Sequence, residues 1–410
     1  MNNIILFTDN DFFAGCESMI ANFLNSKKFM KIYDPFLLYR KSPQYYKGLV
    51  KRVNNLSRVR SSGIIRINRS NLPDFLKNNI FARACWRLVA IATTPIVYLF
   101  NIAVLFRILR KTPRETLIIN NGGYPGASSC LQAAYVARIL GFKKVLMIVN
   151  NTAKPTLKLF RWFSNFYDKL IFESVDIIIT GGEATKKALI TARNAIPEKI
   201  IIIPNGIDEN RFKSSDVIFR RDKKFVIGQS LSISIIGLHE ERKGHLILLK
   251  SIYKLYKKRK KLIKNLTVHV EGEGDLTKSL MHYSNQVGIS KIVKFLGNVD
   301  NISNLYASTD VLVVPSLFSE DLPNVISEAM LFGIPAIGSK IAGIPSQIEN
   351  GENGFLFEPG DINRLSEIIE KILENPTLIP MMSSKCVNKF YNEYDKDIST
   401  TRYMNLIGGL

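Results

Sequence analysis

Glu320 and Glu328, with seven residues between them, stand either side of a short turn, Asp321-Leu-Pro-Asn324, that opens into an apolar stretch. The turn follows a buried-type strand, Asp310-Val-Leu-Val-Val-Pro315. Backbone amides at a helix N-terminus, placed just after a strand, make an anion site. Ionised carboxylates only accept hydrogen bonds, so the flanking glutamates suit the hydroxyls of a sugar. Together these residue types predict a site for a phosphorylated sugar. A solvated helix start is the plain alternative, because paired glutamates at this distance also arise by chance.

Ala329-Met330, Gly333-Ile-Pro335, Gly343-Ile-Pro345 and Asn350-Gly-Glu-Asn-Gly354 follow in order. After a Val-Pro-Ser strand end, this block resembles the nucleotide-sugar site of the retaining family 4 glycosyltransferases. The resemblance covers almost the full chain and implies an α/β protein of the GT-B fold. That fold has two Rossmann-like domains facing each other across a cleft, with a C-terminal helix crossing back to the first. It also implies that Glu320 contacts hydroxyls of the transferred sugar and that Glu328 holds the ribose of the nucleotide. Backbone at Leu322, Asn324 and Val325 would face sugar and phosphates; Pro323 has no amide hydrogen to offer.

A second anion-binding element implied by the resemblance is Gly237-Leu-His-Glu-Glu-Arg-Lys-Gly244. Family members carry Gly-Arg at its start and Lys-Gly at its end, both cations gripping the donor diphosphate. Lys243 matches the lysine, Leu238 replaces the arginine, and the adjacent Arg242 is the candidate substitute. Gly272 and Gly274 lie at another strand end, where a nucleotide base or an ordinary turn would fit equally. In the first half, the family's glycine-rich loop is Phe13-Ala-Gly-Cys-Glu17, with Gly15 kept and alanine at 14. The family histidine is absent, since no histidine precedes His239; Asn150 and Asn151 occupy its place. An asparagine can bond a sugar hydroxyl but cannot shuttle protons near neutral pH. Asn120 and Asn121, in the loop through Gly126, are further candidates for contact with acceptor or sugar. For all four asparagines, turn building and ligand contact are both open. Asp9-Asn10-Asp11 ends the first strand and reads as turn or acceptor-loop residues, with no metal and no other cofactor implied.

These residues need strand ends to stand on. Strand-like runs Ile4–Thr8, Leu117–Asn120, Lys144–Val149, Asp176–Thr180 and Lys199–Pro204 alternate with helical pieces, as doubly wound domains do. The series restarts at Ser232–Gly237 and continues with Thr267–Glu271, Val293–Leu296 and Val311–Pro315. In such sheets ligands sit beyond the carboxyl ends of strands, where each motif above falls. The expected division is a Rossmann-like acceptor domain over 1–208 and a polar, basic linker over 209–228. A nucleotide-sugar domain would span 229–385, with helices over 386–410 packing back on the first domain. A length of 410 residues suits two domains.

Charge is uneven. Residues 1–208 hold 30 Lys and Arg against 12 Asp and Glu, whereas 209–410 hold 26 against 23. From Lys27 to Arg69 the single acid is Asp34. Such asymmetry points to an anionic partner, here an anionic membrane surface and a diphosphate-bearing acceptor. Nucleic acid is disfavoured, because basic residues interleaved with aromatics on a recognisable module are missing. Leu88–Phe106 carries no charge and is flanked by Arg83, Arg87, Arg107, Arg110 and Lys111. Thr93, Thr94, Pro95 and Asn101 interrupt it, so an interfacial pair of apolar helices or a helix packed within the domain is expected rather than a span. Four scattered cysteines fit a reducing compartment. The start, Met1-Asn-Asn-Ile-Ile-Leu-Phe7, reads as a first strand rather than a signal peptide.

The sequence therefore predicts a retaining hexosyltransferase that takes a sugar from a nucleotide-diphosphate donor. Its acceptor would be a saccharide, lipid-linked, in cell-surface polysaccharide or lipopolysaccharide synthesis. It would work in the cytoplasm, peripherally on the inner face of the cell membrane. The rivals are a catalytically silent GT-B protein and, from another class, a basic nucleic-acid-binding protein.

Overall fold

Aliphatic and β-branched runs recur along the chain, and the computed structural model folds them into two wholly parallel sheets. It describes residues 2–13, 15–66, 80–155, 161–318 and 320–409. Ala14 of the glycine-rich loop above lies outside the described residues, as does Ser319, which precedes Glu320. Chain packing separates two units. One comprises Met1–Thr180, Thr185–Ile202 and Met404–Leu410; the other comprises Gly181–Ala184 and Ile203–Tyr403.

In the first unit, seven strands lie in the order β3-β2-β1-β4-β5-β6-β7. They are β1 (Asn2–Thr8), β2 (Tyr33–Tyr39), β3 (Val59–Ser61), β4 (Thr116–Asn121), β5 (Lys144–Val149), β6 (Ile177–Thr180) and β7 (Ile200–Ile202). Register sets Thr8 beside Tyr39 and Asn120, and Asn121 beside Val149. The loops after β1, β4 and β5 thus leave the sheet side by side. Phe7, Leu117, Ile119, Val145 and Met147 are fully buried, each contributing on the order of 1.5–3 kcal/mol by leaving water.

Strand β2 was not foreseen, because Pro35 argues against a strand interior. Pro35 pairs with Ile4 on one side only, since β3 joins β2 from Leu37 onward. Its missing amide therefore breaks no ladder. The apolar segment forms one continuous helix, Ile80–Leu109, not a pair. Thr93 Oγ1 donates to Val89 O at 2.7 Å within it, two residues before Pro95. By length and composition alone, Ala92–Leu109 is apolar enough to cross a membrane.

In the second unit, six strands lie in the order β10-β9-β8-β11-β12-β13. They are β8 (Leu231–Ile236), β9 (Leu266–Glu271), β10 (Val293–Gly297), β11 (Val311–Val314), β12 (Ala336–Ser339) and β13 (Gly354–Phe357). The expected linker over 209–228 belongs to this unit. Its cations are anchors: Arg220 is buried, and its guanidinium donates to Thr309 O at 2.6 Å and Asp310 O at 3.0 Å. Arg221 donates to Leu331 O, at the C-terminus of the helix Asn324–Leu331, where a cation is favoured. The tail also divides later than expected. Ile207 N donates to Tyr394 O at 2.8 Å, which keeps residues to Tyr403 with the second unit. Only Met404–Leu410 joins the first, where Tyr33 OH donates to Met404 O at 3.3 Å and Lys144 Nζ to Ile407 O.

Candidate functional site

In the second unit the ends of β8 and β11 are neighbours, and both carry the residues with chemistry. The chain after β8 runs Gly237 to Gly244 and brings Arg242 and Lys243 over the loop after β11. Lys243 Nζ lies 2.5 Å from Glu320 Oε1, and Arg242 Nη1 lies 2.9 Å from the same oxygen. Ser316 Oγ donates to it at 3.2 Å. The other arm of Arg242 holds Glu240 at 2.9 Å. The two loops are tied by Leu317 N donating to Arg242 O at 2.7 Å. Gly244 is required here: its φ is +70°, and a Cβ on it would sit 1.9 Å from Pro315 O.

Glu328 lies one helical turn into Asn324–Leu331 and is held by different groups. Arg211 Nη1 reaches Oε1 at 3.2 Å, and Tyr306 OH donates to Oε2 at 2.8 Å. Burial, and then the charge of Glu328, push the Tyr306 hydroxyl well above its ordinary pKa, so it stays a donor. Glu320 and Glu328 are both buried, Glu320 against two cations and Glu328 against one. Sequence reasoning missed Arg211 and Tyr306, and it quoted Ser316 as part of the Val-Pro-Ser strand end without giving it a role. A single arginine in a short turn, or a tyrosine inside a helix, has no periodic signature.

Leu322, Asn324 and Val325 lie at the start of the same helix, and Pro323 occupies its N-cap. The Gly-Ile-Pro and Asn-Gly-x-x-Gly pieces support this turn from behind. A Cβ on Gly343 would meet Asp321 O at 1.9 Å, so only glycine lets that strand of chain approach. Gln347 Nε2 donates to Pro323 O at 3.1 Å and to Ser327 Oγ at 2.9 Å, and Asn353 Nδ2 donates to Gln347 O at 2.9 Å. Leu238 is half exposed. His239 and His245 are buried with ring centroids 4.7 Å apart. Burial lowers both, and burial together with His239 and Lys243 pushes His245 down to about 3. Both imidazoles are therefore neutral near pH 7 and leave the positive charge of this loop to Arg242 and Lys243.

The first-unit candidates also meet. Asn120 and Asn121 are the last two residues of β4 rather than loop residues, and Asn120, buried, donates to Cys16 O at 3.0 Å, in the short turn Gly15–Glu17. Asn150 Nδ2 donates to Asn120 Oδ1 at 2.7 Å and to Asn121 O at 3.0 Å, while Asn151 Nδ2 donates to Gly122 O. Asn121 accepts from Ala127 N at 3.1 Å and donates to Pro125 O at 3.1 Å. These amides join the loops after β1, β4 and β5 into one bonded set. Asp9 and Asp11 share Arg40, and Asp9 also takes Ser129 Oγ. Beneath them Glu17, fully buried, accepts from Thr8 Oγ1 at 3.0 Å, Tyr45 OH at 3.1 Å and Asn10 Nδ2. Burial raises its carboxyl to about 7 despite those bonds.

Two parallel-sheet Rossmann-like units with motifs at strand ends define the class: the protein has the GT-B fold. A solved structure from Anabaena, HepE in complex with UDP, superposes with a TM-score of 0.73 over 100% of both chains at 18% identity. Residues 219–391 match the family described as glycosyl transferases group 1. It is 28% identical over 270 residues to the UDP-Gal:alpha-D-GlcNAc-diphosphoundecaprenol alpha-1,3-galactosyltransferase of Escherichia coli, covering 63% of this chain and 67% of the relative. It is 22% identical over 289 residues to D-inositol 3-phosphate glycosyltransferase 2 of Catenulispora acidiphila, covering 65% and 66%. The matches thus span about two thirds of the length of these relatives.

Proposed function

We propose that this chain transfers a hexose from a nucleoside diphosphate donor to a saccharide acceptor carried on a lipid, with retention of anomeric configuration. The observation that carries this is the single oxygen of Glu320 shared by Lys243 and Arg242 at the mouth of two strand ends. A carboxylate for sugar hydroxyls and two cations for phosphates are thereby held within one hydrogen-bonded unit. When the glycosidic C–O bond breaks, its electron pair goes to the diphosphate, whose growing charge Lys243 and Arg242 stabilise. The acceptor hydroxyl bonds to the same face of the sugar and gives its proton to the departing phosphate oxygen. No protein nucleophile and no divalent cation enter this scheme.

Donor chemistry draws support from HepE, solved with UDP, with UDP and glucose, and with UDP-glucose. A lipid-diphosphate acceptor draws support from the name of the Escherichia coli relative and from the basic first half. We place the work at the cytoplasmic face of a membrane, in the assembly of a surface polysaccharide or lipopolysaccharide.

Thermal shift against a panel of nucleoside diphosphates and their sugars tests the donor site. One nucleotide family stabilises the wild type and not Glu328→Ala. Product anomers read by NMR decide retention, and activity unchanged by EDTA supports the metal-free scheme. A folded protein that responds to no nucleotide overturns the proposal.

A further inference from the structure

From Leu88 to Phe106 the long helix Ile80–Leu109 carries no charged residue on any side, unlike the polar outer face of a helix on a water-soluble domain. One side is packed: Asn101, Leu105 and Leu109 are buried. The opposite side is equally apolar and exposed, at Ile96 (70%), Leu99 (68%), Phe100 and Phe106. Leu99 and Phe100 lie three and four residues after Ile96, and Phe106 lies seven after Leu99, so the four form a stripe on one face. A second helix, Arg161–Ser174, carries Trp162 (83% exposed) and Phe166 one turn apart. Tyr98 OH and Tyr167 OH lie 2.9 Å apart and tie the two helices together.

Charge gathers at the end of the stripe. Arg107, Arg110 and Lys111 are exposed there. Beside them a cavity of about 810 Å³ runs along β1, β2 and β3. Arg58, Arg60, Arg107 and Lys111 line it over an apolar floor that includes Phe36 and Leu38, and Asp34 is the one acid in its wall.

We propose that the exposed face of these two helices inserts into the headgroup region of an anionic bilayer, and that the cationic cavity receives a lipid phosphate. This rests on the membrane-surface placement proposed above and identifies the surface that makes it. Exposed aromatics and aliphatics supply the buried area of an interfacial helix, and the cations at its end match anionic headgroups. A second copy of this chain fits the same stripe less well, because it would bring two halves of 30 cations and 12 acids together.

The chain has two tryptophans, Trp86 and Trp162, one on each helix, so native fluorescence reports on these two helices, with Trp162 on the exposed face. Full-length protein is mixed with vesicles of equal parts phosphatidylcholine and phosphatidylglycerol, plain or with brominated acyl chains. Expected are emission at shorter wavelength, quenching by the brominated chains, and little binding to phosphatidylcholine alone. Ile96→Ser with Leu99→Ser abolishes the quenching. Arg60→Gln with Arg107→Gln and Lys111→Gln weakens partition roughly tenfold to a hundredfold. Both variants keep the nucleotide thermal shift, which shows that they fold.

Vesicle binding without quenching, or unchanged behaviour of the serine variant, overturns this inference and leaves a purely electrostatic membrane placement standing. No binding to anionic vesicles overturns both. A dimer that the serine variant dissolves, with no vesicle binding, assigns the stripe to a second copy and overturns the inference as well.

Discussion

Lys243 and Arg242 converge on one oxygen of Glu320, at 2.5 Å and 2.9 Å. The carboxylate assigned to the sugar and the cations assigned to the diphosphate are therefore not independent parts. Phosphate oxygens entering this site compete with Glu320 for the same donors, and Glu320 is freed to accept from sugar hydroxyls as the cations turn to phosphate.

The first prediction follows from that sharing. Lys243→Met lowers kcat/KM by roughly a hundredfold to a thousandfold, the loss typical of one donor to a developing anion. Arg242→Met costs less, because its second arm is committed to Glu240. The double variant loses less than the two single losses combined, since both residues act through one carboxylate. Steady-state kinetics of the three variants measure this directly.

Glu328 depends on groups no motif contains. Arg211→Ala and Tyr306→Phe each remove one of its two partners. A hydrogen bond to a charged group is worth about 1.5–3 kcal/mol, so each variant weakens nucleoside diphosphate binding by roughly tenfold or more. Titration calorimetry reads the affinity; on the proposal that Glu328 holds the ribose, which is remote from the bond that breaks, kcat at saturating donor changes little.

Leu238 offers a gain rather than a loss. It stands half exposed in the loop that carries both cations. Leu238→Arg supplies the cation that the family resemblance implies at this position and is expected to tighten nucleoside diphosphate binding by roughly threefold to tenfold, the effect of an exposed charge pair of about 1 kcal/mol. The gain shrinks as salt rises, because exposed pairs are screened. Affinity measured at two ionic strengths checks both halves of the prediction.

What the sequence made legible divides along physical lines. Strands β1, β4, β5 and β11 are buried on both faces over their aliphatic runs, which were readable; β9 was readable instead from its alternation, with every second residue buried. Strand β2 was hidden by Pro35, harmless only because β3 stops short of it. The stretch 209–228 looked like a linker because arginine and lysine usually face water. Here Arg220 and Arg221 cap carbonyls at the ends of other elements, a long-range relation that no local pattern encodes. Glu320, Glu328 and Lys243 were found because fixed spacings carry them; Arg211 and Tyr306 reach Glu328 from 117 and 22 positions away.

Gly244 separates backbone strain from steric conflict. Gly288 has nearly the same φ, +75° against +70°, but no atom within 4 Å of a Cβ built on it. Gly288→Ala therefore costs only about 1 kcal/mol from the left-handed backbone and leaves activity intact. Gly244→Ala adds a clash with Pro315 O, pushes the Arg242–Lys243 loop away from Glu320, and lowers kcat/KM as well as the melting temperature. Melting curves and kinetics of the two variants side by side make the distinction.

Glu17 gives the first unit a pH dependence of its own. Its carboxyl is raised from 4.5 to about 7, by burial above all, with Asn10, Thr8 and Tyr45 opposing. The folded protein thus keeps a proton there that the unfolded chain releases. Stability from the protonated group is complete below about pH 4.5, declines by up to about 1.4 kcal/mol per pH unit, and levels off above the folded value. Glu17→Gln keeps an oxygen for Thr8 and Asn10, turns its amide to Tyr45 OH, and has no proton to lose. The melting temperature of the variant therefore rises relative to wild type from pH 5 to pH 7.5. A difference between the two that is constant across that range shows that Glu17 is already ionised in the folded protein.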